Sequence, residues 1–149
     1  MIQIARAHFE QLRAHASQAY PNECCGALLG EPGEPGSIRV REIVSCENAA
    51  ATPSTGYKIA DEDLARIQRE SRARGFQICG FYHSHPDHPA DPSPSDLSDP
   101  CWTGHYIITS VAAGVVAAGI AKETKSYRLL LENGSRRLLP EELQVLPEE

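Results

Sequence analysis

The chain has 149 residues, enough for one compact domain with its own core and too few for two of ordinary size. Hydrophobic residues at 41 % and charged residues at 23 % are the balance of a globular protein and exclude the disordered and fibrous classes. A formal charge of -6, with no basic cluster beyond short pairs such as Arg136-Arg137, speaks against nucleic acid as a partner. No apolar stretch approaches the ~20 residues of a membrane span, so no membrane partner is expected.

The five cysteines are an odd number, and Cys24 and Cys25 are adjacent, which suits neither a disulfide framework nor the CxxC pairs of a structural zinc site. Buried, inert thiols in a reducing cytoplasm are expected, although thiol control through Cys24, Cys25 or Cys101 is conceivable. The N-terminus, with an early Arg and His, carries no signal-peptide pattern.

In chain order, Ala5, Phe9, Leu12, Ala16 and Tyr20 recur at three- and four-residue spacing and predict an amphipathic helix over 3–18, stopped by Pro21. Residues 24–30, small and apolar, predict a buried strand, and 37–46 alternate as a second one after a Glu-Pro-Gly-Glu-Pro-Gly turn. Residues 47–59 break into Asn, Thr, Pro and Gly, a loop long enough to lie over a site. Asp61 opens a second helix that reaches about Arg74 and stops at Gly75. Strands are predicted at 76–85, 103–110, 115–122 and 127–132, the last two joined through charged turn residues. Helices and strands mix without regular alternation, so the predicted fold is α/β, a curved mixed sheet sandwiched by helices, in one domain over 1–149.

The chemistry gathers in residues 83–96, HSHPDHPADPSPSD. On a strand, His83 and His85 point to one face and can present two imidazoles to one metal, while Ser84 turns the other way. Asp96 follows Ser95, which reads as the N-cap of a short helix. Pro86, Pro89, Pro92 and Pro94 lower the entropic cost of closing the loop that brings this carboxylate back. Two His and one Asp leave the fourth tetrahedral position of zinc open, the mark of a catalytic site. A hydrolase of this kind also needs a base that is not a ligand. Glu23, between Pro21 and an apolar strand, is the candidate, because a charge entering a core is costly unless something uses it.

Glu23, His83, His85, Ser93 and Asp96 together resemble the JAMM or MPN+ metallopeptidases, whose pattern is an upstream Glu followed by HxHx7Sx2D. The segments NECCGALLG and GFYHSHP extend the resemblance over most of the chain, and it constrains the tail after about Leu139 least. It implies an MPN fold, similar to the layered architecture of cytidine deaminases, with one zinc ion held by His83, His85 and Asp96. It also implies Glu23 as general acid and base, and Ser93 as donor to the oxygen that becomes negative in the tetrahedral intermediate. Compact members of this kind resemble enzymes acting on ubiquitin-like sulfur carrier proteins, which makes hydrolysis of the bond after a C-terminal Gly-Gly the expected reaction. Release of cysteine from a carrier adduct, or a non-catalytic MPN scaffold, are the alternatives. Nothing in the sequence sets the oligomeric state, and a homodimer is compatible with it.

Rival patterns fit less well. HSHPDH also matches the metallo-β-lactamase string HxHxDH, with Asp87 and His88 on a second metal, but that fold needs further downstream histidines and only His105 follows. A cytidine-deaminase site would need HxE and PCxxC, and Pro100-Cys101 has no second cysteine. Asp87 and His88 are therefore expected as solvated loop residues or substrate contacts, Tyr82 and Trp102 as core or pocket wall, and His8, His15 and His105 in structural or surface roles.

Overall fold

The computed structural model describes residues 1–94, 96, 104–114 and 118–147. In chain order these form β1 (Ile2–Ala5), α1 (Arg6–Ala19), β2 (Cys25–Pro32), β3 (Ile38–Cys46), α2 (Asp61–Ala73) and β4 (Gln77–Pro86). They continue as β5 (His105–Ala113), β6 (Gly119–Glu132), β7 (Ser135–Glu141) and β8 (Leu143–Leu146). The strands pair in the order β7-β6-β5-β4-β2-β3-β1-β8. Pairing is parallel at β4–β5, β1–β3 and β1–β8 and antiparallel at the other ladders.

Alternation in the central strands divides the core into two layers. Leu28 and Tyr82 pack with Leu12 and Ala16 of α1, whereas Ala27, Leu29 and Phe81 pack with Ile67 of α2. The two helices thus cover opposite faces of a curled mixed sheet, as the sequence predicts. The central strands are apolar on both faces because both faces are covered. Gly26 allows the closest packing of the α1 layer, since the ring of Tyr82 lies only 2.2 Å from where a Cβ would stand. The second helix ends as expected at Gly75, whose φ of 81° is the left-handed cap conformation. There Gly75 N–H donates to the Arg72 carbonyl at 3.0 Å and Phe76 N–H to Ser71 at 2.8 Å.

Three expectations are corrected. The predicted helix over 3–18 starts later, because Ile2 and Ile4 alternate into the α1 layer, fully buried, as a strand between β3 and β8. Residues 119–132 form one strand rather than two joined by a turn, and the charged residues Glu123 and Lys125 sit inside it. Residues 115–117, where the first of those two strands was expected to begin, lie outside the described residues. Two strands follow the last one predicted: β7 pairs with β6, and after Glu142 the same stretch continues as β8 on β1, at the other end of the strand order.

Candidate metal centre and active site

His83 and His85 occupy the last turns of β4's pleat, on the Phe81 face that α2 covers, with Ser84 on the other side. Ser84 is fully buried, and its hydroxyl accepts the Cys24 N–H at 2.8 Å, which ties β4 to the entry of β2 where Glu23 stands. The histidines are 2 % and 7 % exposed and Glu23 is 8 % exposed, so all three are buried polar groups that need partners.

Their partners are each other and Asp96. The two Nε2 atoms are 3.1 Å apart. Asp96 places Oδ1 2.9 Å from His83 Nε2 and Oδ2 3.3 Å from His85 Nε2. Glu23 joins them, since one ligand atom from each of Glu23, His83 and His85 lies within 4.8 Å of the others.

The turn carrying Asp96 is a reciprocal capping box. Ser93 N–H donates to Asp96 Oδ2 at 2.7 Å, and the Ser93 hydroxyl accepts the Asp96 N–H at 3.4 Å. Pro94 and Asp96 are helical, so Ser93 holds the N-cap position that the sequence suggested for Ser95, and Pro94 is the first helical residue, where a missing N–H costs nothing. Ser95, Cys101 and Trp102 lie outside the described residues.

This arrangement fits a metal ion. His85 Nδ1 is 2.9 Å from the Pro89 carbonyl, which can only accept, so the proton of neutral His85 sits on Nδ1 and Nε2 keeps its lone pair. That lone pair faces a carboxylate oxygen, and two acceptors face each other comfortably only with a proton or cation among them. Donor atoms bound at 2.0–2.1 Å to a tetrahedral zinc lie about 3.3 Å apart. The observed 2.9, 3.1 and 3.3 Å separations are close to that.

Protonation follows from the same contacts. Burial opposes charge on Asp96, but the bonds to His83 and His85 outweigh it and hold the carboxyl far below the usual range. Burial also opposes charge on His85, and the contacts to Asp96 and the Pro89 carbonyl reverse that to raise its pKa. Burial pushes the Glu23 carboxyl up to about 7, with His85 opposing and the Asp96 charge adding to the rise. A carboxyl poised there can both take and return a proton near neutral pH.

The residue readings outside the set divide in the same way. Asp87 and His88 are exposed on the loop, and Asp87 accepts the Tyr20 hydroxyl at 2.8 and 3.0 Å rather than joining a second metal set. Burial pushes the Cys24 thiol up to about 11 and raises Cys25 as well, so both stay protonated and unreactive. Tyr82 is core and shares a 2.8 Å hydrogen bond with His15, while His105 at the start of β5 meets Glu141 at 2.6 Å.

A model of the prokaryotic homologs of the JAB domain matches residues 5–129. The chain belongs to the prokaryotic JAB-domain family. Among its relatives, a probable TtuB-protein conjugate cleaving protease of Thermus thermophilus is 28 % identical over 72 % of this chain and 69 % of its own. A desampylase of Haloferax volcanii is 34 % identical over 60 % of this chain and 63 % of its own. A CysO-cysteine peptidase of Mycobacterium tuberculosis is 30 % identical over 65 % and 64 %. The fold matches a solution structure of a Desulfitobacterium hafniense protein with a TM-score of 0.77 and 25 % identity, over 99 % of this chain and 94 % of that one. It also matches a JAB1/MPN domain protein of Archaeoglobus fulgidus with a TM-score of 0.56 and 19 % identity, over 97 % of both. By family this JAB-domain chain is a JAMM-type metallopeptidase homologue, and Glu23, His83 and His85 form its candidate metal site.

Two site residues of this JAB domain escape sequence reasoning. Tyr57 stacks on His83 with ring centroids 4.5 Å apart and 24° between planes, a roof over that imidazole. Asn48 organises the loop that carries Tyr57. The available signal was weak: one aromatic and one Asn inside a loop of small residues already expected to cover a site.

Proposed function

We propose that this protein is a zinc-dependent peptidase that cleaves the bond after the C-terminal Gly-Gly of a ubiquitin-like carrier protein. The observation that carries the reading is the convergence of two imidazoles on the Asp96 carboxylate, with buried Glu23 beside them. In this reading His83, His85 and Asp96 hold one zinc ion per chain. A zinc ion held by these three residues would supply Lewis-acid polarisation of a carbonyl and would bring the pKa of water toward about 7.

The remaining work falls to the chain itself. Glu23 takes the proton of the attacking water and passes it to the leaving nitrogen, which its carboxyl pKa of about 7 suits. Ser93, on the turn that carries Asp96, donates to the developing oxyanion. An intact ligand set favours catalysis over a scaffold role.

Substrate class is inferred from relatives and sterics together. The relatives named for cleaving TtuB conjugates and CysO-cysteine point to ubiquitin-like carriers. With Glu23, His83 and His85 each under a tenth exposed, the substrate backbone has to approach closely, and glycine permits that without a side chain in the way. The CysO-cysteine relative supports a second leaving group, free cysteine, released by the same chemistry.

The test is to incubate the protein with Gly-Gly carriers, fused to protein or capped with cysteine, and to weigh the products. Cleavage directly after Gly-Gly is expected, with kcat/KM strongly reduced when the terminal Gly is replaced by Val. A Val carrier cut as fast as the Gly-Gly carrier would end the close-approach account.

A further inference from the structure

The loop between β3 and α2 is built around one carboxamide. Asn48 Nδ2 donates to the carbonyls of Glu23 and Gly56, each at 3.0 Å, and lies 3.4 Å from that of Pro53. Its Oδ1 accepts the N–H of Ala50 at 3.0 Å and of Lys58 at 3.1 Å. Both N–H groups and both lone pairs of the amide are thereby used. The main chain reinforces the closure, with Ala49 N–H donating to the Lys58 carbonyl at 2.8 Å.

Glu23 precedes the β2 ladder, which begins at Cys25, so the sheet does not hold its backbone. The loop does. Glu23 N–H donates to the Pro53 carbonyl at 2.8 Å, and its own carbonyl accepts from Asn48. Tyr57, stacked on His83, lies between Gly56 and Lys58, the two residues whose main chains Asn48 grips.

We infer that Asn48 is a positioning residue for the reaction: by closing the loop over 48–58 it fixes the main chain of Glu23, and with it the carboxyl group, beside the histidine pair. This rests on the role of Glu23 in the proposed function. Asn48 itself touches no reacting atom. Asp at this position would keep the shape and the acceptor side but set a second acceptor against the Glu23 and Gly56 carbonyls, so Asn48→Asp should fail much as Asn48→Ala does.

The experiment compares Asn48→Ala and Asn48→Asp with the full-length parent by amide hydrogen exchange, zinc content, kcat and KM. The amides of Glu23, Ala50 and Lys58 should exchange at least ~10-fold faster in either variant. Zinc per chain should be unchanged, and kcat should fall about 10- to 100-fold with KM within about threefold, as expected when a reacting group is misplaced. In a Glu23→Gln background, removing Asn48 should change the residual kcat less than about twofold, because the effect passes through that carboxyl group. Full kcat in both variants despite faster exchange, or an additive loss in the Glu23→Gln background, would overturn the inference. Should Asn48→Ala fail to fold, the near-isosteric Asn48→Asp carries the same readouts. A parent inactive on every carrier would refute the proposed function, and exchange at Glu23 would then decide alone: faster in the variants supports the clamp, unchanged overturns it.

Discussion

The loop over residues 87–94, which delivers Asp96 to the histidines, is fastened to β6 by several bonds, two of which differ in worth. Tyr127, 3 % exposed, donates its hydroxyl to the Ala90 carbonyl at 2.7 Å, and Ala90 is fully buried. Lys125 pairs with Asp91 at 2.9 Å, but those side chains are 43 % and 61 % exposed. Tyr127→Phe keeps the ring and opens no cavity, so its cost is the lost bond plus the penalty for stranding a buried carbonyl, together ~1–3 kcal/mol. At about 2–4 °C per kcal/mol for a chain of this size, Tm should fall by about 2–12 °C. Lys125→Met removes a solvent-screened pair worth less than about 1 kcal/mol and should move Tm by no more than ~4 °C. Loosening the loop should also weaken zinc binding, by about 10-fold in a chelator competition. Thermal unfolding of the two variants side by side decides: if Lys125→Met costs as much as Tyr127→Phe, the buried bond is not what anchors this loop.

Three further outcomes are expected. Glu23→Gln should retain its zinc and lose at least ~10²-fold in kcat, read by elemental analysis and carrier cleavage; undiminished turnover would place the base elsewhere. His85→Ala should purify with little zinc, and full occupancy in that variant would dissolve the proposed ligand set. Glu141 is opposed by burial, but its bonds from His105 and the terminal ammonium outweigh that and lower its pKa. A depressed folded pKa contributes stability that is present above the ordinary glutamate range and lost as pH falls through the folded value. The urea stability gap between parent and Glu141→Gln should therefore be widest near neutral pH and shrink below about pH 4; a constant gap would show that the Glu141 charge contributes nothing.

The histidine pair was legible because a strand has period two: His83 and His85 had to share a face wherever the strand lay. Glu23 was legible as an acid placed where the chain enters a core. The capping residue was not, since both Ser93 and Ser95 flank Pro94 and only the bonds to Asp96 distinguish them. β1 was hidden because the helical pattern beginning at Ala5 was extended back over Gln3 and Ile4, which left Ile2 alone outside it. Glu123 and Lys125 looked like a turn because their charge reads as solvent, although in β6 they project toward Asp91 and the Ala90 N–H. Asn48 carries only the weak mark of an Asn within a loop. Its importance lies in contacts with residues both distant and local, from Glu23 to Lys58, which appear only when the loop is closed.

Glu142 alone separates β7 from β8, so one short stretch of chain is the outermost rung at both margins of the sheet. Its N-terminal half seals β6, its C-terminal half seals β1, and Glu141 pins the junction to His105. The two margins therefore cannot fray independently. Detaching residues 135–146 would bare the ladders of β6 and β1 in a single event, so the amides of those strands, although far apart in pairing order, should exchange as one cooperative unit.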